Sequence, residues 1–173
     1  PMAQAAIGDI YSTTFQGATF TFTQVDADTL TFNLAGNALT GDWSTAAYLG
    51  AFDFKNLGLD FGTVTGIANG PGAVNLAGLN TQMSAANVDC TAAGSPPGSI
   101  CFDIVPDLLL TNPFNWTYTI DFSAPLNIGS TGLHLQLAFT AVQGGPKVGT
   151  LYSQDIGLSS NSSTSSTSST TIP

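Results

Sequence analysis

The pattern that most restricts the fold is a strict alternation of large apolar residues with small polar ones. Such a period of two is typical of a β-strand that buries one face. The alternation is clearest over residues 114–122, where aromatic residues and Ile alternate with Asn, Thr and Asp, and it recurs over residues 133–140. We therefore predict strands in both stretches and place five of their side chains in a core between two sheets: Trp116, Tyr118, Ile120, Leu135 and Leu137.

Alternation of the same kind continues through most of the chain. Residues 18–35 predict a β-hairpin whose turn is Asp26-Ala27-Asp28. Helical periodicity is not evident over a useful length, so we predict an all-β fold, a single antiparallel β-sandwich or jelly-roll-like domain. Further strands are predicted at 46–54, 58–66, 73–79, 82–88, 100–105 and 148–157.

The charged residues argue against a helical fold and exclude several kinds of partner. Lys55 and Lys147 are the only cations against eleven acids, all of them Asp, and the net charge is −9. Glu and Arg, which usually coat helix surfaces, are absent. Two lysines cannot displace counterions from a nucleic acid or hold an anionic lipid surface. The sequence also lacks the uninterrupted apolar stretch that a membrane span requires.

Composition divides the chain into three regions. Residues 1–12 form a short N-terminal segment in which Ala3-Gln4-Ala5 fits the small-residue end of a secretory signal. Residues 13–158 contain nearly all the aromatic and branched side chains and form the predicted sandwich domain. Residues 159–173 are a Ser/Thr-rich tail with little apolar surface to offset the entropy of ordering, so we expect a linker or disordered terminus.

The two cysteines point to an oxidising compartment. Cys90 and Cys101 enclose a loop rich in Gly, Pro and Ser, with no further Cys or His nearby to complete a zinc site. We predict a disulfide between them, with two free thiols as the alternative. On the chain-entropy account such a bond stabilises the fold by about 3 kcal/mol. A disulfide favours a secreted or cell-surface protein.

The residues give no positive support for catalysis. Asp53 with Asp60, or Asp103 with Asp121, are candidate carboxylate pairs for glycoside hydrolysis, but turns and strand faces are the usual places for Asp. A Ser-His-Asp arrangement has only His134 available, and we interpret it as a bystander on the polar face of its strand. No nucleophile elbow, phosphate loop or dinucleotide fingerprint occurs. We predict that the protein is not an enzyme.

Two kinds of ligand remain as alternatives. Asp26 and Asp28 lie two apart in a predicted turn and are candidate calcium ligands, although the spacing of a dedicated calcium loop is missing. No other metal or cofactor is expected. Carbohydrate binding would need exposed aromatic side chains, and Tyr11, Trp43 and Tyr48 are the candidates.

Five stretches combine aromatic residues with Asp or Ser in a characteristic order. They are 41–44 (GDWS), 48–55 (YLGAFDFK), 98–102 (GSICF, after Cys90), 116–122 (WTYTIDF) and 149–156 (GTLYSQDI). In these stretches the chain resembles secreted bacterial proteins that bear the PEP-CTERM sorting signal. In that family a Ser/Thr-rich spacer follows the body and precedes a signal that an exosortase recognises. The resemblance implies export to the cell surface or to the extracellular polymer matrix, and it brings no catalytic residues.

From these observations we expect a non-enzymatic structural protein of the bacterial cell surface or extracellular matrix. Its Thr-rich strands have few Lys residues to block edge pairing, so we expect a homo-oligomer or polymer, a fibre subunit linked by addition of a terminal strand. The candidate donor is the N-terminal segment, with Ile7, Ile10 and Tyr11 as its apolar anchors. The alternative is a carbohydrate-binding, adhesive module whose partner is an extracellular polysaccharide.

Overall fold

The structure is a computed structural model that describes residues 6–84, 86, 88–94 and 98–160. The predicted all-β sandwich is confirmed: two antiparallel sheets pack face to face, and the described residues contain no α-helix, only one short 3-10 turn at Gly41–Trp43. Within the described part of the chain, no helix is long and apolar enough to cross a membrane. The strands are β1 Ile10–Phe15, β2 Ala18–Gln24, β3 Thr29–Gly36, β4 Tyr48–Lys55, β5 Gly66–Asn69, β6 Val74–Leu76, β7 Thr81–Gln82, β8 Ala92–Ala93, β9 Ile100–Leu109, β10 Phe114–Phe122, β11 Leu133–Thr140, β12 Lys147–Ile156 and β13 Leu158–Ser160.

Sheet A has the order β13-β1-β2-β3-β10-β5, and sheet B has the order β12-β11-β4-β9-β6. The predicted hairpin is present as β2 and β3, paired in register from Ala18 with Gly36 to Gln24 with Leu30. Sheet A extends beyond the predicted body at both ends, because β1 begins at Ile10 and β13 ends at Ser160. The Ala3-Gln4-Ala5 signature and residues 161–173 of the predicted tail lie outside the described residues.

The core between the sheets is largely aromatic. Phe22 and Phe32 stack in sheet A with ring centroids 4.6 Å apart, and Phe54 of sheet B meets Phe22 edge-on at 5.5 Å. Offset and edge-on pairs of this kind add to the stabilisation that apolar burial provides. Four of the five predicted core residues, all except Trp116, are completely buried: Tyr118, Ile120, Leu135 and Leu137.

Trp116 is the exception, because it is only half-buried at the margin of the core. β5 pairs with β10 only from Thr119 to Phe122. Trp116 therefore has a neighbouring strand on one side alone, where it lies opposite Leu34 of β3. The alternation assigned the correct face of the strand, but the neighbouring strand β5 of the same sheet does not extend as far as Trp116.

Two of the predicted strands are mainly loops. Residues 58–66 form turns in which Thr63 and Val64 donate their N–H groups to the Asp60 carbonyl, and β5 begins only at Gly66. In the predicted strand 82–88, Gln82 is the only residue in a strand among those the structure describes, which leave out positions 85 and 87. Apolar residues recur at every second position near Leu59 and Phe61, but those side chains enter the core from a loop.

A long connection crosses the outer face of sheet B. We call residues 77–94 the strap; they are described except at positions 85 and 87. The predicted disulfide is confirmed, since Cys90 of the strap is bonded to Cys101 of β9 with 5.7 Å between their Cα atoms. Met83 and Val88 of the strap are buried against Ala51 and Ala138 of sheet B. The strap thus forms a second, smaller apolar layer outside the sandwich.

Candidate functional site

A chain of hydrogen bonds runs across the outer face of sheet B. β11 and β12 pair so that His134 lies opposite Asp155, and Ser153 lies on the same face two residues earlier. His134 Nδ1 is 2.8 Å from Asp155 Oδ1, and His134 Nε2 is 2.8 Å from Ser153 Oγ. His134 lies on the polar face of its strand, as predicted, but neither of its two partners was predicted. The signal was the Ser-x-Asp spacing of β12, which puts Ser153 and Asp155 on one face of a strand.

The hydrogen bonds continue inward from Ser153, through Gln136, to the buried carboxyl group of Asp53. Gln136 lies opposite Asp53 of β4, which is completely buried. The Gln136 side-chain amide satisfies both neighbours when its nitrogen faces Asp53, 2.7 and 3.0 Å from the carboxylate oxygens, and its oxygen accepts from Ser153 Oγ at 3.1 Å. Burial raises the pKa of Asp53 to about 7, although the N–H of Met83 and the charge of Lys55 act in the opposite direction.

Ser153, His134 and Asp155 are hydrogen-bonded in the order of a nucleophilic triad, but neither of two clefts in the described part of the chain adjoins them. Acyl transfer also needs donors for an oxyanion and a cleft for the acyl group. Clefts of about 200 and 220 Å³ lie elsewhere, beside Asp107 and Leu110 respectively. This series of hydrogen-bonded side chains can hold β4, β11 and β12 in register. It can also carry a proton between the surface and Asp53.

Three consecutive strap residues, 81–83, are anchored by side chains from sheet B and its margin. Two of these side chains lie in β4, and the third belongs to Ser99, which immediately precedes β9. Ser99 Oγ donates to the carbonyl of Thr81 at 2.6 Å. The Lys55 ammonium donates to Gln82 Oε1 at 2.7 Å, and the N–H of Met83 donates to Asp53 Oδ2 at 2.8 Å. The sequence analysis did not foresee these contacts, because they join positions far apart in the chain. The strap is therefore fixed at both ends of its crossing, by these anchors and by the disulfide.

An acidic cleft of about 200 Å³ lies beside the strap and is lined by Asp89, Asp103 and Asp107. Partial burial raises the pKa of Asp103, and the neighbouring charges of Asp89 and Asp107 raise it further. Asp107 Oδ2 accepts the N–H of Gly144 at 2.7 Å, and Asp89 Oδ1 accepts from the Thr91 hydroxyl at 2.7 Å. Among the described residues, no group of three or more His, Cys, Asp or Glu is placed to hold a metal ion.

The predicted calcium ligands lie in the β2–β3 turn as expected. Asp26 Oδ1 accepts the N–H of Asp28 at 3.1 Å, and Asp28 Oδ1 accepts from the Thr29 hydroxyl at 3.3 Å. Hydrogen bonds from Thr29 and Asp28 lower the pKa of Asp26. The observed arrangement is a capped turn, and calcium binding there stays a prediction.

The candidate carboxylate pairs occupy separate places. Asp60 caps its own turn by accepting the N–H of Gly62 at 2.9 Å, whereas Asp53 is buried beneath the strap. Asp103 belongs to β9 of sheet B, whereas Asp121 belongs to β10 of sheet A and accepts from the Thr29 hydroxyl at 2.6 Å. Asp103 and Asp121 therefore belong to different sheets of the sandwich.

The aromatic residues considered for sugar stacking mostly belong to the core. Trp43 is completely buried and donates its indole N–H to the Thr150 carbonyl at 2.8 Å. Tyr11 is only 2% exposed, and Tyr48 is half-buried. Stacking of a sugar on Trp43 or Tyr11 would require the core to open.

The candidate donor segment completes the protein's own sheet A. Ile10 and Tyr11 pair with Thr23 and Phe22 of β2, and Tyr11 is buried, whereas Ile7 is 58% exposed. On its other side, as far as the described residues extend, β1 pairs with β13 through Ile10 and Tyr11. For this segment to be exchanged between copies of the protein, β1 would first have to break its hydrogen bonds with β2 and β13.

The outer face of sheet A is a broad surface of hydroxyl and amide groups, which we call the threonine face. The alternating burial of β2 and β10 directs these side chains away from the core. Asn33 Nδ2 donates to Asn115 Oδ1 at 2.7 Å and to Thr117 Oγ1 at 3.0 Å, and the Ser12 and Thr21 hydroxyls lie 3.1 Å apart. The threonine face comprises Ser12, Thr14, Thr19, Thr21, Thr23, Thr31, Asn33, Asn115, Thr117 and Thr119.

No protein-family model, curated protein or solved structure matches this chain. Its described residues define a disulfide-bonded β-sandwich with a strapped face on sheet B and an open face of mostly hydroxyl and amide groups on sheet A. Arguments about function therefore rest on the chemistry of these two faces.

Proposed function

We propose that this protein is a non-enzymatic structural component of the bacterial cell surface or extracellular matrix that adheres to neutral polysaccharide through the threonine face. The observation that carries the proposal is the composition of that face: ten hydroxyl or amide side chains on four adjacent strands, bordered on β10 by the carboxylate of Asp121. Groups that both donate and accept hydrogen bonds match the hydroxyl groups of a sugar polymer.

The charge distribution favours a neutral polymer over an acidic one. The net charge is −9, and the two cations belong to strands of sheet B, Lys55 to β4 and Lys147 to β12. A polyanion approaching the threonine face would meet no cation there and would be repelled by the protein as a whole. A neutral polymer would incur no such cost.

The regular spacing of the face suits a repeating ligand. Neighbouring strands of a sheet lie about 4.7–4.9 Å apart, and side chains on one face of a strand recur about every 6.7 Å. Each hydrogen bond exchanged with water contributes only about 1 kcal/mol, so a single sugar would bind weakly. A polymer that contacts several rows at once gains by multivalency.

The test is co-sedimentation with insoluble neutral polysaccharides, such as cellulose and chitin, beside affinity electrophoresis in gels that contain an acidic polymer. The triple variant Thr21→Val, Thr31→Val, Thr117→Val removes three hydroxyls and keeps the β-branched shape that strands favour. Its affinity for the neutral polymers is expected to fall by at least tenfold, and by about a hundredfold if all three hydroxyls bind the polymer.

The matched control is Thr63→Val with Thr131→Val, which removes two exposed hydroxyls from loops outside the face. We expect this control to bind as the parent does. Equal retention of the triple variant and the parent, or preferential retention by the acidic polymer, would contradict the proposal.

A second candidate function, the fibre subunit, is favoured by the edge of sheet A. β13 is a three-residue strand whose side chains are all exposed, and it covers only the first part of β1. Ser159 supports the pairing by accepting the N–H of Ser12 at 3.0 Å through its hydroxyl oxygen. A short strand held this lightly can exchange between copies. Light scattering at increasing concentration tests this, and a strictly monomeric protein at high concentration would contradict it.

A further inference from the structure

The contact between Lys55 and Gln82 is chemically unusual for this chain. The protein has only two cations and eleven acids, yet the Lys55 ammonium bonds to the neutral side-chain amide of Gln82, with 2.7 Å between nitrogen and oxygen. Both side chains are half-buried where the strap crosses β4. The amine nitrogen therefore lies next to the carbonyl group of a primary amide, the kind of group that a neutral amine can attack.

We propose that Lys55 and Gln82 become joined by an intramolecular isopeptide bond, formed by the folded protein itself with release of ammonia. This modification site does not depend on the threonine face or on any ligand. It would tie the strap covalently to sheet B at a second point, in addition to the Cys90–Cys101 disulfide.

The reaction balances without any oxidant, reductant or added group. The neutral amine of Lys55 attacks the Gln82 side-chain carbonyl carbon, and a new carbon–nitrogen bond forms. The bond from that carbon to the original amide nitrogen then breaks. One proton passes from the attacking nitrogen to the departing nitrogen, which leaves as ammonia. Where the reaction starts from the lysine ammonium, the additional proton leaves with the ammonia as ammonium ion.

Asp53 is placed to carry that proton. It precedes Lys55 by two residues and so lies on the same face of β4. Its carboxylate also accepts the N–H of Met83, the residue that follows Gln82. Burial raises the pKa of Asp53 to about 7, so both protonation states are populated near neutral pH, as general acid–base catalysis requires.

The surroundings hold the two reacting groups together. Ser99 fixes Thr81 on one side of Gln82, and Asp53 fixes Met83 on the other. The disulfide closes the far end of the strap. Holding reactants in contact in this way replaces a rare bimolecular encounter with a favourable intramolecular one, which can accelerate a slow reaction by many orders of magnitude.

The test is the intact mass of the full-length protein after reduction of the disulfide. We expect a mass lower than that of the sequence by one ammonia, and peptide mapping should recover a branched peptide that joins Lys55 to Gln82. An intact mass equal to the sequence mass, with linear peptides covering both residues, would overturn the proposal without recourse to any variant.

Matched variants locate the lost ammonia. Lys55→Arg and Gln82→Met should each show the full mass of their sequences, whereas Lys147→Arg and Gln143→Met should remain lighter by one ammonia. Retention of the mass deficit in Lys55→Arg would place the lost ammonia elsewhere and overturn the assignment. Asp53→Asn is expected to leave the two side chains unlinked, and complete crosslinking in that variant would overturn the role given to Asp53. Circular dichroism of each variant confirms that the sandwich is present.

Discussion

Trp43 donates its indole N–H to the backbone carbonyl of Thr150, with 2.8 Å between the two atoms. Thr150 lies in β12, the edge strand of sheet B, and its hydroxyl donates to Asp42 Oδ2 at 2.7 Å. The 3-10 turn at Gly41–Trp43 therefore covers the middle of a ten-residue edge strand. An exposed edge of that length would otherwise offer a template for pairing with other chains.

Replacing Trp43 with Phe tests this relationship. The variant keeps an aromatic ring in the core but leaves the Thr150 carbonyl without its donor, so we expect a loss of about 1–3 kcal/mol in the free energy of unfolding. Chemical denaturation measures the loss. Trp116→Phe is the matched control, because the Trp116 indole makes no hydrogen bond among the described residues. An equal effect of both substitutions would show that the hydrogen bond contributes nothing.

Asp53 makes stability depend on pH in an unusual direction. Its pKa is raised from 3.8 to about 7 in the fold, so the folded state binds the proton more tightly than the unfolded state. The resulting stabilisation is complete below pH 4 and is lost as the pH rises towards 7, by about 4 kcal/mol in total. The pKa values of exposed Asp26 and Asp42 are lowered in the fold. These two groups therefore stabilise the folded state above about pH 4, and their contribution is lost as the pH falls further.

Thermal unfolding measured from pH 4 to pH 8 checks this expectation. The melting temperature of the parent should fall as the pH rises through this range, and that of Asp53→Asn should change much less. A parent protein that becomes more stable between pH 4 and pH 7 would contradict the prediction.

The half-buried position of Trp116 gives a graded test of the core. Removal of a fully buried aromatic side chain costs about 3–5 kcal/mol. Phe32 is completely buried and contacts rings of both sheets, so Phe32→Ala should fall in that range. Trp116→Ala should cost clearly less, and equal losses in the free energy of unfolding would show that Trp116 belongs to the core after all.

The disulfide should stabilise the strap more than the sandwich. Cys90→Ser with Cys101→Ser is expected to lower the free energy of unfolding by about 3 kcal/mol. Hydrogen exchange should increase in residues 77–94 and stay slow in β2, β3 and β10, whose ladders lie in the other sheet. Uniform acceleration throughout the chain would contradict this separation.

The sequence predicts those parts of the fold in which a strand buries one face over its whole length. β2, β3, β10 and β11 show this alternation, and each strand lies where the pattern puts it. The loop around Leu59 and Phe61 has a similar pattern without a partner strand, and no local signal distinguishes the two cases.

The strapped face was beyond prediction for a different reason. Asp53 is buried where the strap crosses β4, and its contact with Met83 of the strap spans 30 residues of sequence. His134 acquires Ser153 and Asp155 through the pairing of two strands whose register is set by tertiary packing. Residue types identified candidates for that face, but only the fold brought them together.

The pairing of β1 with β13 has a mechanical consequence. The strands are antiparallel neighbours, and Ile10 lies beside Ser160 at one end of the pair. A tensile force that separates these two positions loads the backbone hydrogen bonds one after another, as in opening a zipper, rather than all together in shear. The outermost strand of sheet A is then released at low force, while the strapped sheet keeps its length. Under tension the domain extends first at this edge and retains its aromatic core.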